Sequence, residues 1–236
     1  MHATTTKTAY HEGIRDGLPY IVMVVPFALL FGVVAIETGL TVAQTIGFSI
    51  LVIAGASQFA ALQLMVENAA IGLVLLAALA VNLRMAMYSA SLVPYLGAAP
   101  MWQRVILSYL NFDQTYMASV HKFETEPDMT VPARVAYFLG VATPIAPLWG
   151  VTTIIGALIG TKIPDGVPID FILPIAFLSM VAPMVRSLAH FVALLVSVGV
   201  SLALAGLPSG LGLLIAAGCA MVTGAMIETW LEGRKT

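Results

Sequence analysis

The chain has 236 residues, 60% of them hydrophobic and only 9% charged, with a net charge of -2. Soluble domains carry about 25% charged residues, and surface-to-volume scaling gives a chain of this size no way to hide so much apolar surface from water. With a mean hydropathy of +0.98, the bilayer is the solvent. The charge balance argues against nucleic acid as a partner, and the single cysteine, Cys219, excludes an internal disulfide and a cysteine-based metal cluster.

Residues 1–16 form a polar N-terminal segment of mixed charge. A membrane helix needs about 20 apolar residues, and charge-free runs supply them. Gly17 to Ile36 is the first, read as a retained span because no small-residue cleavage pattern follows it. Thr38 to Val66 is the second, after a turn at Glu37-Thr38-Gly39, and Asn68 to Pro94 is the third. Pro94, Gly97 and Pro100 mark a loop. Val105 to His121 carries Asn111, Asp113 and Gln114 at its centre. It either crosses the membrane in the protein interior or dips in and returns, because polar backbone at that depth must be covered.

Val131 to Thr161 is long enough to span, but Pro144 and Pro147 predict a bend or break. Asp170 to Val185 follows, with Pro174 and Pro183 inside. Ser187 to Ile227 has no charge and is too long for one span, so Leu207-Pro208-Ser209-Gly210 splits it into a hairpin. Glu37, Glu67 and Arg186 belong at helix ends, and Cys219 reads as a small packed side chain.

The fold class is thus all-α: a polytopic transmembrane bundle of seven or eight spans, one transporter domain over residues 1–236, with a broken or re-entrant segment at 105–121. A weak internal repeat pairs Gly39 to Phe48 with Gly166 to Ile175. It is inverted in a seven-span scheme and parallel in an eight-span one. Lys and Arg mark the cytoplasmic side. With eight spans, Lys7, Arg15, Lys122, Arg134, Arg186, Arg234 and Lys235 lie inside, against Arg104 and Lys162 outside. With seven, the N-terminus moves outside. Both schemes leave residues 228–236 as a cytoplasmic tail.

Arg84 is the most informative residue, since no other charge lies between Glu67 and Arg104. A guanidinium cannot escape burial by losing its proton, and at the centre of a membrane helix it costs roughly 2.5 to 3.5 kcal/mol. It needs a partner: Asp113, Glu37 or a ligand carboxylate, which arginine binds in a fork. Tyr88, four residues on, shares its helix face, whereas Asn82 lies on another face. Asp113, beside Gln114, is the type of group that carries a coupling proton. Ser57 and Gln58, in Ala54-Gly55-Ala56-Ser57-Gln58-Phe59, read either as helix–helix glue or as a helix break at Gly55 that exposes backbone to a ligand. Pro144 and Pro147 offer a second break.

Gly156 to Lys162 lacks the spacing of a phosphate loop, and Gly156 and Gly160 fit a small-residue helix contact instead. No HExxH, CxxC or Gly-x-Ser-x-Gly pattern occurs. Neither enzymatic activity, a cofactor nor a metal is expected.

Leu29-Leu-Phe-Gly32, Ala54-Gly-Ala-Ser-Gln58-Phe59, Asn82-Leu-Arg84, Tyr88-Ser-Ala-Ser-Leu92, the 111–116 segment and Phe171 to Phe177 together resemble the AzlC family. That family (azaleucine resistance) comprises the large subunits of two-component branched-chain amino acid exporters of the LIV-E type. The resemblance implies a multi-pass inner-membrane permease with a small hydrophobic AzlD-type partner, exporting substrates similar to leucine, isoleucine and valine. Arg84, Asp113, Asn82, Tyr88, Ser57, Gln58 and Gln114 would line its path. Relatives often have His where this chain has Met85, and Asp-Glu where it has Asp113-Gln114, so one membrane carboxylate is missing. The alternatives are a non-transporting structural subunit and a transporter of another small carboxylate or amine.

Overall fold

Thr5 accepts the backbone N–H of Thr8 on its side chain at 3.3 Å and so opens helix α1, Thr6–Gly17. The structure is a computed structural model and describes residues 5–163, 185, 187–206 and 211–232. A short 3-10 turn at Leu18–Tyr20 joins α1 to α2, Ile21–Glu37. Gly39 turns the chain with φ of 89°, a conformation that glycine adopts without strain. A capping box between Thr41 and Gln44 then opens α3, Val42–Leu51. After a non-helical stretch at 52–54 come α4 (Gly55–Val66) and α5 (Ile71–Leu96). The order continues with α6 (Met101–Tyr109), α7 (Asp113–Thr125), α8 (Val131–Gly160), α9 (Leu188–Ala203) and α10 (Leu211–Glu232). No strand occurs among the described residues.

The chain divides into two compact units: Met1–Leu62 with Ala78–Ile163, and Gln63–Ala77 with Pro164–Thr236. In the first unit α8 is the axis, and α1, α2, α3 and α7 pack along it. Glycine permits that closeness. A Cβ on Gly13 would collide with the Tyr137 carbonyl, and one on Gly140 with the Tyr10 carbonyl. Gly32 and Gly156 do the same for α2, against the carbonyls of Thr153 and Leu29. Gly156 and Gly160 therefore form the small-residue contact that their spacing suggests. An aromatic cluster of Phe27, Phe31, Phe48, Phe59 and Trp149 fills the space where α2, α3, α4 and α8 meet. In the second unit α9 and α10 pack against each other, with Gly224 close to Ala193.

Several expectations change. The N-terminal segment is helical, not merely polar: α1 buries Ala9, Gly13 and Gly17. Thr38 to Val66 is the pair α3 and α4, interrupted at 52–54 directly before Gly55, in keeping with the reading of a helix break there rather than a single span. Val131–Gly160 runs as one helix through Pro144 and Pro147, so the break expected there is absent. Each proline removes a single N–H, and the flanking helices α1 and α2 hold α8 along that stretch. Cys219 is exposed rather than packed, and Glu228 to Glu232 continue α10. The repeat partner at 166–175, the prolines of the 170–185 span, Arg186, the 207–210 turn and residues 233–236 lie outside the described residues.

Among the described residues, three stretches are long and apolar enough to cross a membrane: Thr6–Glu37, Ile71–Leu96 and Val131–Gly160. Along α5 the large apolar side chains Leu79, Leu83, Met87 and Val93 are exposed, as suits a lipid-facing surface.

Candidate functional site

Two interrupted helices build the site. The first interruption, at 52–54, ends α3 with carbonyls that have no helical partner. Gln58, fully buried, turns its amide back to this break, donating to the Val52 carbonyl at 2.6 Å and, at 3.5 Å, to the Phe48 carbonyl, which also takes the Val52 N–H. Ser57 donates to the Ala54 carbonyl at 2.9 Å. Gly55 is small because Phe27 and Trp149 lie against it, and Phe59 anchors the aromatic cluster. The motif at 54–59 is thus the fastening of a helix break. Gln58→Leu should leave the Val52 carbonyl unsatisfied, while the Phe48 carbonyl keeps the Val52 N–H, costing about 1 to 3 kcal/mol. The check is the thermal unfolding temperature of the purified variant, which should fall.

The second interruption, at 110–112, separates α6 from α7. Thr115 holds it, accepting the Phe112 N–H at 3.0 Å and donating to the Leu110 carbonyl at 2.8 Å. Asp113 begins α7, where the helix dipole favours a carboxylate. Tyr109, at the end of α6, donates its hydroxyl to the Ile50 carbonyl of α3, which ties one interruption to the other.

Helix α5 lies along this second segment. Arg84 Nη1 pairs with Asp113 Oδ2 at 3.2 Å. The Tyr88 and Tyr116 rings stack with centroids 4.0 Å apart and an angle of 8°. Asn111 Nδ2 donates to Ser89 Oγ at 3.1 Å, and the Tyr116 hydroxyl to Ser91 Oγ at 3.2 Å. Of the partners open to Arg84, Asp113 is the one it meets. The pair is one-pronged: Arg84 Nε and Asp113 Oδ1 are both buried and have no hydrogen-bond partner among the described residues.

A cavity of about 230 Å³ opens between the two interruptions, lined by Leu51, Val52, Ile53, Ala54, Asn82, Met85, Ser108, Tyr109 and Asn111. A second, of about 400 Å³, has mostly apolar walls, among them Leu92, Leu96, Leu107 and Phe138, with Arg104 at its edge. Ser108 and Asn111 line both.

Of the residues singled out from sequence, Arg84, Asp113 and Tyr88 meet along one seam, and Asn82 faces the small cavity. Ser57 and Gln58 are instead committed to backbone beside it, and Gln114 is half-buried, one residue round α7 from Asp113. Pro144 and Pro147 are in α8 and line neither cavity. Sequence reasoning noted Asn111 at the centre of the 105–121 segment without giving it a place in the site, and left out Tyr109 and Ser89 as site residues. Asn111 is an amide in a run with few polar groups, two residues before Asp113, and that was its only signal.

Elsewhere in the first unit Lys122 bridges Glu12 at 2.9 Å and Glu126 at 2.6 Å. Burial pushes its pKa down, but hydrogen bonds to the two carboxylates outweigh that and hold it above the ordinary lysine value. The cation therefore stays charged at neutral pH. Among the described residues, no group of three or more His, Cys, Asp or Glu could hold a metal.

Long apolar helices, a partly buried ion pair and two interrupted helices define a helical integral membrane protein. The model of the family described as AzlC protein matches residues 19–163, a stretch that contains both interruptions and the whole α5 seam, and the chain belongs to that family. It is 25% identical over 179 residues to the inner membrane protein YgaZ of Escherichia coli (strain K12), covering 73% of this chain and 72% of that one. No solved structure matches.

Proposed function

We propose that the chain is the permease subunit of an amino acid exporter, a secondary transporter of seven or eight spans in the inner membrane with its C-terminus in the cytoplasm. Its substrates are branched-chain amino acids, its partner is a small hydrophobic AzlD-type protein, and it needs no cofactor and catalyses no reaction. The observation that carries this reading is the Arg84–Asp113 pair, which joins α5 to an interrupted helix beside a cavity. Transporters place their sites at such interruptions, where backbone groups and helix ends are free to meet a ligand. The apolar walls of the larger cavity suit a branched aliphatic side chain. Asp113 would trade between Arg84 and a proton, coupling substrate movement to the proton gradient.

Reconstituted proteoliposomes test it. Labelled leucine, isoleucine and valine should move in exchange for protons under an imposed proton gradient when the chain and its small partner are both present, and not when either is missing. Absence of flux for all three with both subunits present would refute the reading. The alternative, a structural subunit, draws on the commitment of Ser57 and Gln58 to backbone rather than to the cavity.

A further inference from the structure

The smaller cavity has a chemistry that the Arg84–Asp113 pair does not explain, because neither of those residues lines it. Asn111 is 5% exposed. Its Nδ2 donates to Ser89 Oγ at 3.1 Å and to the Met85 carbonyl at 3.5 Å. A backbone carbonyl can only accept, so this end of the amide must be the NH2. The opposite end, Oδ1, is buried and has no hydrogen-bond partner. Asn82 Oδ1 is in the same state, and both residues line the cavity. Two other hydroxyls line the cavity, those of Ser108 and Tyr109, and that of Tyr109 is already given to the Ile50 carbonyl.

Two unanswered acceptors in an interior site call for a donor-rich guest. The lining holds no carboxylate, which disfavours a multivalent cation. A primary ammonium brings three N–H donors and no acceptor, enough for both amide oxygens. Its charge also suits the carbonyl end of α3, whose last residue, Leu51, lines the cavity.

We propose that Asn111 and Asn82 are the ammonium-recognising residues of this chain, and that the cavity between the two helix interruptions takes the head group of a primary alkylammonium or small zwitterion. This rests on the exporter reading and adds which atoms recognise the amine. Binding and coupling are then separate: the asparagines hold the substrate, and Arg84 with Asp113 drives its movement.

The test uses the purified full-length chain and three probes measured by calorimetry: L-leucine, 3-methylbutylamine (leucine without its carboxylate) and 4-methylpentanoate (leucine without its amine). The wild type should bind the first two, and 4-methylpentanoate at least about 10-fold more weakly. Asn111→Leu should weaken leucine about 10- to 100-fold, while Asn111→Asp, which keeps the acceptor, retains amine binding. Asn82→Leu, which breaks no hydrogen bond of the fold, should weaken leucine in the same direction. If 4-methylpentanoate binds as well as leucine, or if leucine binds both Leu variants as it binds the wild type, this site is overturned and the exporter reading stands. If the wild type binds none of the three, the substrate reading fails and the site fails with it.

Discussion

An Arg84→Ala chain should reach the membrane, stay folded, and export leucine roughly 30-fold or more slowly than the wild type. The fall corresponds to about 2 kcal/mol, the lower end of what truncating one partner of a hydrogen-bonded charge pair removes. The side chains of Arg84 and Asp113 are 26% and 37% exposed, so the pair stands between a surface ion pair and a fully buried one. The stability loss should accordingly be modest, because the Tyr88–Tyr116 stack and the Asn111–Ser89 hydrogen bond still hold the seam. Flux and unfolding temperature measured on the same preparation separate the two effects. An unchanged export rate would remove Arg84 from the working site.

Gly156→Leu should be far more damaging to the fold. Helix α2 crosses α8 with the Leu29 carbonyl pressed against Gly156, where any Cβ collides with backbone rather than with a movable side chain. Overpacking costs about 1 to 3 kcal/mol, and more where neighbours cannot shift. The facing Gly32 is held in the same way by Thr153 and Ala157, so neither helix can yield. The expected result is a sharp loss of chain in the membrane fraction and a lower unfolding temperature for what remains. Gly150, on the same helix, has nothing within 4 Å of an added Cβ. Gly150→Ala should be neutral or slightly stabilising, since alanine restricts the unfolded chain more than glycine does. Equal behaviour of the two variants would contradict the packing described for α2 and α8.

Charge in an apolar chain was legible in the sequence. Arg84 had to find a partner, and Asp113 was among the few residues able to serve. The stacking of Tyr88 on Tyr116 was not, because neither sequence spacing nor hydropathy says which face of α5 meets which face of α7. Helix α1 was missed for a related reason. Its buried face is Ala9, Gly13 and Gly17, and small residues leave no hydrophobic stripe, although they are what lets two backbones touch. The break between α3 and α4 fell inside a run that hydropathy reads as a single span. Its signal was the Ala54 to Phe59 motif: the break falls just before Gly55, and the Gln58 amide fastens it by folding back six residues onto the Val52 carbonyl. Conversely, proline chemistry predicted an interruption at Pro144 and Pro147 that packing against α1 and α2 overrides.

The central claim is that the Arg84–Asp113 pair works in transport rather than only joining α5 to α7. The most direct test is the double variant Arg84→Met with Asp113→Leu, assayed for leucine efflux from proteoliposomes alongside each single variant. Replacing both charges with apolar side chains of similar size removes the unpaired charge that each single variant leaves behind, so stability should return close to that of the wild type. Export should stay as low as in the single variants. Recovery of export together with stability would show the pair to be structural and would contradict the account.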